Sequence, residues 1–208
     1  MSTPTFQDAA ATWNQRYAGE DYHFGREPNA YLRVQAARLP TRGQALCVAD
    51  GEGRNSVWLA QQGLRVQAFD LSDVAVAKAR RLAAEAGVDV DFHVASCDDW
   101  NWAAESHELV VGIFIQFADP AARERQFAAM RSALKPGGLL VLQGYTPRQL
   151  ELKTGGPGIL SHLYTAPMLR EAFAGLEIVE LVEYEAALSE GARHQGLSAL
   201  AGLVARKP

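Results

Sequence analysis

Ala45-Leu46-Cys47-Val48-Ala49-Asp50-Gly51-Glu52-Gly53-Arg54-Asn55 decides the fold. A short apolar run, Ala45 to Ala49, reaches a turn holding Gly51 and Gly53, and a helical pattern then runs from Asn55 to Gln62 and stops at Gly63. A strand, a glycine turn and a helix in that order let backbone N–H groups and the helix N-terminus approach a ligand closely. Glycine belongs in such a turn because a Cβ would block the approach.

Outward from this unit, apolar runs alternate with helical patterns. Leu64–Phe69 reads as the next strand, ending at Asp70. Ser72 suits an N-cap and Asp73 the first turn, where its charge meets the positive helix end. Ala75, Ala79, Leu82 and Ala86 keep helical spacing up to Gly87, a C-terminal stop. Val88–Val94 and Glu108–Phe114 give two more strands. Asp119-Pro120 opens a helix as N-cap and first-turn proline, with Phe127, Met130 and Leu134 as its buried stripe and Lys135–Gly138 as its end. Leu139–Tyr145 is continuously apolar, as expected of a strand covered on both faces. A helix over Thr165–Ala174 precedes two strand-like runs, Leu176–Tyr184 and Leu197–Arg206, which must pair antiparallel because only a loop separates them. The pattern predicts an α/β fold with a doubly wound sheet of about seven strands, mostly parallel, closing on a C-terminal antiparallel hairpin.

The chemistry-bearing residues gather at the ends of the first strands. Asp70 stands about twenty residues beyond the glycine turn, where a carboxylate can accept from both hydroxyls of a ribose. Turn and carboxylate together point to an adenosine-containing ligand. A dinucleotide site wants a third glycine for close helix packing against a pyrophosphate. Here Ser56 takes that place, and Glu52 would sit badly beside a pyrophosphate. A zwitterionic methionine end with a sulfonium tolerates the acid better, and a closing antiparallel hairpin is unusual for a nicotinamide-binding domain.

These residues resemble the class I S-adenosylmethionine-dependent methyltransferases, and within them the tellurite-resistance (TehB-type) group and its thiopurine-methyltransferase-like relatives. The matching stretches are Trp13 and Tyr17, Tyr22–Asn29, Gly51–Asn55, Phe69–Ser72, Ile113–Phe117, Leu134–Gly138 and Gly144–Pro147. The resemblance implies a Rossmann-like core over 41–208 with an N-terminal helical lid over 1–40, in one domain. It implies S-adenosylmethionine as cofactor and methyl transfer to a small, soft nucleophile such as a thiol or a chalcogen oxyanion, tellurite included. Ala49, Asp50, Gly51, Gly53, Arg54, Asn55, Asp70, Leu71, Ser96, Cys97, Asp98 and Phe114 fall at cofactor positions, with Tyr22, Phe24 and Gly25 in the lid. Three positions depart from the pattern. Cys47 stands for the first-strand acid, Ala49 for the first loop glycine, and Ser96 for the acid that meets the adenine amine.

On the substrate side, the resemblance places His194 near the acceptor, with Arg193 supplying a charge where the family carries an arginine after the histidine and Gln195 stands here. A solvated hairpin tip over Ser189–Gly196 is the alternative. Gln116 lies where cofactor and substrate meet and would orient rather than take a proton. Arg54 would orient the methionine carboxylate or Glu52. Trp13 and Tyr17 read either as lid or as core. The stretch Tyr145–Tyr164 reads either as a substrate cover or as a connector.

Composition narrows the function classes. The net charge of −4 with dispersed Lys and Arg argues against a nucleic-acid partner, which needs a concentrated basic surface. Five dispersed histidines give no metal-ligand spacing. Cys47 and Cys97 lack a CxxC pattern, and no signal sequence or membrane-spanning run is visible. The expectation is a cytoplasmic monomer or homodimer acting on a small molecule without metal. A cofactor-binding regulator that has lost activity and an NAD-dependent oxidoreductase are the competing readings.

Overall fold

The computed structural model describes residues 6–191 and 194–208. Its strands are β1 (Gln44–Val48), β2 (Arg65–Asp70), β3 (Val90–Val94), β4 (His107–Ile113), β5 (Leu134–Tyr145), β6 (Glu177–Glu190) and β7 (His194–Arg206). The helices are α1 (Phe6–Tyr17), α2 (Ala30–Val34), α3 (Arg54–Gln61), α4 (Asp73–Ala86), α5 (Pro120–Ala133), α6 (Gln149–Leu152) and α7 (Ala166–Ala172).

The strands form one sheet in the order β3-β2-β1-β4-β5-β7-β6. β1 pairs parallel with β2 and β4, and so do β2 with β3 and β4 with β5. β7 slots between β5 and β6, antiparallel to both.

Alternation along β1 explains why the sheet is wound on both faces. Ala45 and Cys47 point into a core with Val57 and Leu59 of α3 and Val76, Ala79 and Leu82 of α4. Leu46 and Val48 point the other way, toward Phe127 and Met130 of α5 and Leu169 of α7. Successive strand residues face opposite sides, so each buried strand must be apolar throughout.

The helix signals act locally. Ser72 accepts from the Ala75 N–H, Asp119 from the Ala122 N–H and Thr165 from the Met168 N–H. Gly87 closes α4 at φ +67°.

Two boundaries differ from the sequence reading. β5 starts at Leu134, which pairs with His107 before a register shift to Leu109↔Leu139, so Lys135–Gly138 leads into the strand rather than forming a separate stop. The final hairpin is also longer than expected. β6 reaches Glu190 and β7 starts at His194, with Ser189↔Gln195 and Glu190↔His194 in register. The stretch read as a linking loop is therefore mostly strand.

Candidate active site

The candidate site lies at the C-terminal ends of the parallel strands, where ligands of open α/β sheets bind. The chain leaves β1 through a tight bend. Ala49 takes φ +47° and Gly51 φ +61°. Ala49 keeps the left-handed turn that a glycine normally supplies, at a strain of about 1 kcal/mol. The Gly51 N–H donates to Asp70 Oδ2 (2.8 Å) and the Ser72 N–H to Asp70 Oδ1 (2.9 Å), so one buried carboxylate bridges the turns after β1 and β2. Each Asp70 oxygen has a further lone pair for a ligand hydroxyl. Burial pushes Asp70 up to about 6, against the backbone donors of Ser72 and Gly51.

Gly53 serves helix packing. A Cβ there would come within 2.7 Å of the Ala79 Cβ on α4. Cys47 is buried against α3 and α4, and burial raises its thiol. A carboxylate does appear two residues beyond the strand. Asp50 is hydrogen-bonded by the Ser56 hydroxyl and pushed up to about 7 by burial, with the Asp70 charge adding to the rise.

The N-terminal segment covers this turn. Tyr17 is buried, and its hydroxyl stands 3.0 Å from where a Gly51 Cβ would be. Burial first, then Asp70, Glu52 and Asp50, hold the Tyr17 phenol well above its ordinary range. It remains a hydrogen-bond donor. Trp13 stacks on Tyr17 with centroids 5.6 Å apart, and His23 and Phe24 meet Tyr17 edge-on at 5.9 and 6.2 Å. The N-terminal segment is clasped by Lys78 of α4, whose Nζ lies 2.5 Å from Glu52 Oε1 and donates to the carbonyls of Gly19 (2.9 Å) and Asp21 (2.6 Å). Glu52 Oε2 accepts from the His23 N–H at 2.7 Å.

Several expected site residues are engaged elsewhere. Glu52 spends its charge on Lys78, so it does not by itself decide between a pyrophosphate and a sulfonium ligand. Tyr22 turns onto α4, donating to the Lys78 carbonyl at 3.1 Å, and Tyr17 rather than Tyr22 covers the turn. Arg54 does not pair with Glu52. Its Nη2 lies 2.7 Å from Glu190 Oε2. Asn55 Oδ1 accepts from the Asn29 N–H (2.9 Å), tying α3 to the start of α2.

Gln116 is buried with its amide consumed by backbone. It donates to the carbonyls of Tyr145 and His162 and accepts from the Tyr145 N–H at 2.5 Å. This holds the end of β5 and uses both amide hydrogens of Gln116 on backbone. Leu71 follows Asp70, half-buried. Ser96 donates to Asp99 Oδ2 (2.7 Å), capping its own turn, and the Cys97 carbonyl accepts from Trp102 Nε1 (2.8 Å). Burial raises the Cys97 thiol to about 12. Asp98 is exposed and faces Arg125 of α5 at 3.6 Å. Arg193 lies outside the described residues.

A second cluster forms beside β4. Phe114 leaves that strand at φ +57°, an uncommon conformation for a bulky residue. His194 packs against Phe114 at 4.3 Å, Phe24 at 4.5 Å and Tyr145 at 5.8 Å. Burial lowers the His194 imidazole, partly countered by Glu190. Gly25 and Gly191 bring the N-terminal segment and the hairpin tip together, for a Cβ on Gly191 would lie 2.5 Å from the Gly25 nitrogen.

Sequence reasoning missed Lys78, Glu190 and Tyr145. Lys78 had one legible signal, as a cation on the otherwise small, apolar face of α4. Among the described residues no group of three or more His, Cys, Asp or Glu side chains could hold a metal, and no helix is long and apolar enough to cross a membrane.

Residues 45–138 match the family described as a methyltransferase domain. Over that stretch the chain is similar to methyltransferases. A ubiquinone biosynthesis O-methyltransferase of Xanthomonas axonopodis pv. citri (strain 306) is 36% identical over 140 residues, 64% of this chain and 56% of the relative. The chain thus spans little more than half that relative's length. TehB from Haemophilus influenzae superposes with a TM-score of 0.69 at 15% identity, over 97% of this chain and 68% of that one. The N-methyltransferase NodS from Bradyrhizobium japonicum WM9, in complex with S-adenosyl-L-homocysteine, gives 0.72 at 16% identity over 96% and 98%. The match to a methyltransferase domain and the strand order weigh against the nicotinamide reading.

The site fits the adenosyl group of S-adenosylmethionine. Its glycine turn has the Tyr17 hydroxyl 3.0 Å from where a Gly51 Cβ would stand, and its bridging carboxylate keeps free lone pairs. An apolar surface, Phe24 and Phe114, lies beside it.

Proposed function

We propose that the chain is a cytoplasmic S-adenosylmethionine-dependent methyltransferase for a small-molecule acceptor, a monomer or homodimer in which residues 1–40 act as lid of a single domain. The observation that carries the reading is the Asp70 carboxylate bridging the turns after β1 and β2. Two free cysteines, Cys47 and Cys97, suit a reducing compartment.

Bound S-adenosylmethionine supplies an electrophilic methyl on a sulfonium. The chain's task is then positioning and exclusion of water, which can contribute about 7–11 kcal/mol in favourable cases. Asp70 would hold the ribose hydroxyls. The turn Ala49–Gly53 would carry the methionine portion, with Asp50 as the nearby carboxylate and Ser96 and Cys97 at the adenine edge. Phe24 and Phe114 would border the sulfonium, where an aromatic face contributes about 0.5–2 kcal/mol, and His194 would stand on the acceptor side.

The acceptor reading includes thiols and chalcogen oxyanions, from the TehB-type resemblance, and oxygen nucleophiles, as in the name of the 36% identical relative. Transfer of a radiolabelled methyl group to thiols, phenols and tellurite tests it. Turnover on at least one, abolished by excess S-adenosylhomocysteine, supports the reading. Silence with all three classes would refute it.

A further inference from the structure

The cluster around His194 contains more polar chemistry than methyl positioning requires. Glu190, at the end of β6, is a buried hub. Its Oε1 accepts from the Ala30 N–H (2.9 Å) and from Asn29 Nδ2 (3.1 Å). Its Oε2 holds Arg54 Nη2 at 2.7 Å and lies 3.9 Å from His194 Nδ1. The side chains of Arg54, Glu190 and His194 are only 7%, 10% and 8% exposed. Three polar atoms in this cluster have no hydrogen-bond partner among the described residues: Arg54 Nη1, His194 Nδ1 and the Tyr145 hydroxyl. A buried polar group left unpaired costs about 1–3 kcal/mol, so Arg54 Nη1 and the Tyr145 hydroxyl mark a place built for something else to complete, while His194 Nδ1 faces Glu190.

We propose that Glu190 is the positioning residue of an acceptor site for a protic nucleophile, an alcohol, phenol or thiol, and that it sets the His194 ring to take the acceptor's proton. The proposal rests on the methyltransferase reading above.

The fixed parts of the site support it. Asn29, Ala30 and Arg54 clamp Glu190 from the start of α2 and from α3. Burial pushes its carboxyl up, yet the facing His194 ring first, then the Arg54 charge and the Ala30 N–H, outweigh that and hold it at about 2. It is therefore anionic at neutral pH. At 3.9 Å it is too far for a hydrogen bond and close enough to orient Nδ1–H and to stabilise a positive ring. The other imidazole nitrogen, Nε2, is then the acceptor face. Phe24, Phe114 and Tyr145 pack the ring and fix its plane. Arg54 Nη1 and the Tyr145 hydroxyl are the donors left for the acceptor's own oxygen or sulfur substituents.

The balance is simple. The acceptor X–H gives its proton to neutral His194. An electron pair on X forms the X–CH3 bond, and the methyl–sulfur bond breaks with its pair going to sulfur. The sulfonium charge ends as imidazolium, beside the Glu190 carboxylate. An acceptor that is already an anion at neutral pH needs no such base.

The test follows the ring itself. Nitrogen-15 and carbon-13 shifts of His194 are recorded across pH in the ligand-free wild-type protein, in Glu190→Gln and in Glu190→Asp, with affinity for S-adenosylhomocysteine measured alongside. The groups facing the ring and its carboxylate are Arg54 from α3, Asn29 and Ala30 from the start of α2, and Tyr145 from β5. The expected result is a neutral wild-type ring protonated on Nδ1, a His194 midpoint lowered by about one pH unit in Glu190→Gln, and partial recovery in Glu190→Asp. Homocysteine-product affinity should stay within threefold. Any protic acceptor that the wild type methylates should react at least tenfold more slowly with Glu190→Gln, and the rising limb of its pH profile should move to lower pH.

A wild-type ring protonated on Nε2, or a midpoint indifferent to Glu190, would overturn the proposal even where the substituted proteins fail to fold. Turnover on tellurite alone would overturn the acceptor class. Absence of any S-adenosylhomocysteine binding would instead sink the parent reading, while the ring titration still decides the Glu190–His194 relation.

Discussion

Lys78 Nζ lies 2.5 Å from Glu52 Oε1, and both side chains are 2% exposed. The pair joins the middle of α4 to the turn after β1, and the same ammonium gathers the carbonyls of Gly19 and Asp21. Breaking a buried pair by removing one partner costs about 3–5 kcal/mol, because the remaining charge is stranded. Lys78→Met should therefore lower unfolding free energy by about 3 kcal/mol and release residues 17–24 to proteolysis. Adding Glu52→Gln should recover part of the loss, since the amide keeps an acceptor for the His23 N–H without the charge. Urea unfolding and limited proteolysis check both expectations.

Asp50 and Asp70 give a pH signature. Their folded values, about 7 and about 6, stand above the ordinary carboxylate value of 3.8. A raised carboxyl means that the folded state binds the proton more tightly than the unfolded chain. The stability this brings is full below about 4 and is lost as pH rises through 6 and 7. Glu190, held at about 2, acts oppositely, with its contribution lost only below its unfolded value of 4.5. The ligand-free protein should melt higher at pH 5.5 than at pH 8. Asp50→Asn should raise the melting temperature at pH 8 and lose that advantage at pH 4.5, as read by calorimetric scans.

The backbone crossing of lid and hairpin is equally testable. Gly191 has φ +65°, and a Cβ there would lie 2.5 Å from the Gly25 nitrogen and the His23 carbonyl oxygen. Gly191→Ala should destabilise by more than about 2 kcal/mol, from strain and displaced backbone together. Gly87→Ala is the comparison. It has the same sign of φ and nothing within 4 Å, so it should cost only about 1 kcal/mol.

Ala49 offers a prediction of sign. Alanine to glycine usually destabilises by about 0.4–1 kcal/mol, through the entropy of the unfolded chain. At φ +47° that loss is offset by relief of left-handed strain. Ala49→Gly should be neutral or stabilising by about 0.5 kcal/mol, measured by urea denaturation.

The fold was legible where its causes are local. Ser72, Gly87, Asp119 and Thr165 act within one turn of their own helix, and the two-sided burial of β1 and β5 shows as unbroken apolar runs. The hairpin tip was not legible. β6 carries Glu177, Glu180, Glu183, Glu185 and Glu190, as suits a sheet edge, and Ser189-Glu190-Gly191 has the composition of a loop. The turn after β1 and Asp70 could be found by spacing. Glu190 could not, because its partners Asn29 and Arg54 stand 161 and 136 positions away. Glu52 was misjudged for the same reason, since nothing near it in the chain announces Lys78. Tyr17 and Tyr22 differ only in which face of the lid they occupy.

The grip of Asp70 and the Ala49–Gly53 turn on an adenosyl group carries the proposed function. Isothermal titration of the wild type and of Asp70→Ala with S-adenosylhomocysteine and with NADH measures it directly. Saturable S-adenosylhomocysteine binding, weakened at least tenfold in a folded Asp70→Ala protein and absent for NADH, is the predicted result. Equal affinity in the two proteins, or heat with NADH alone, would contradict it.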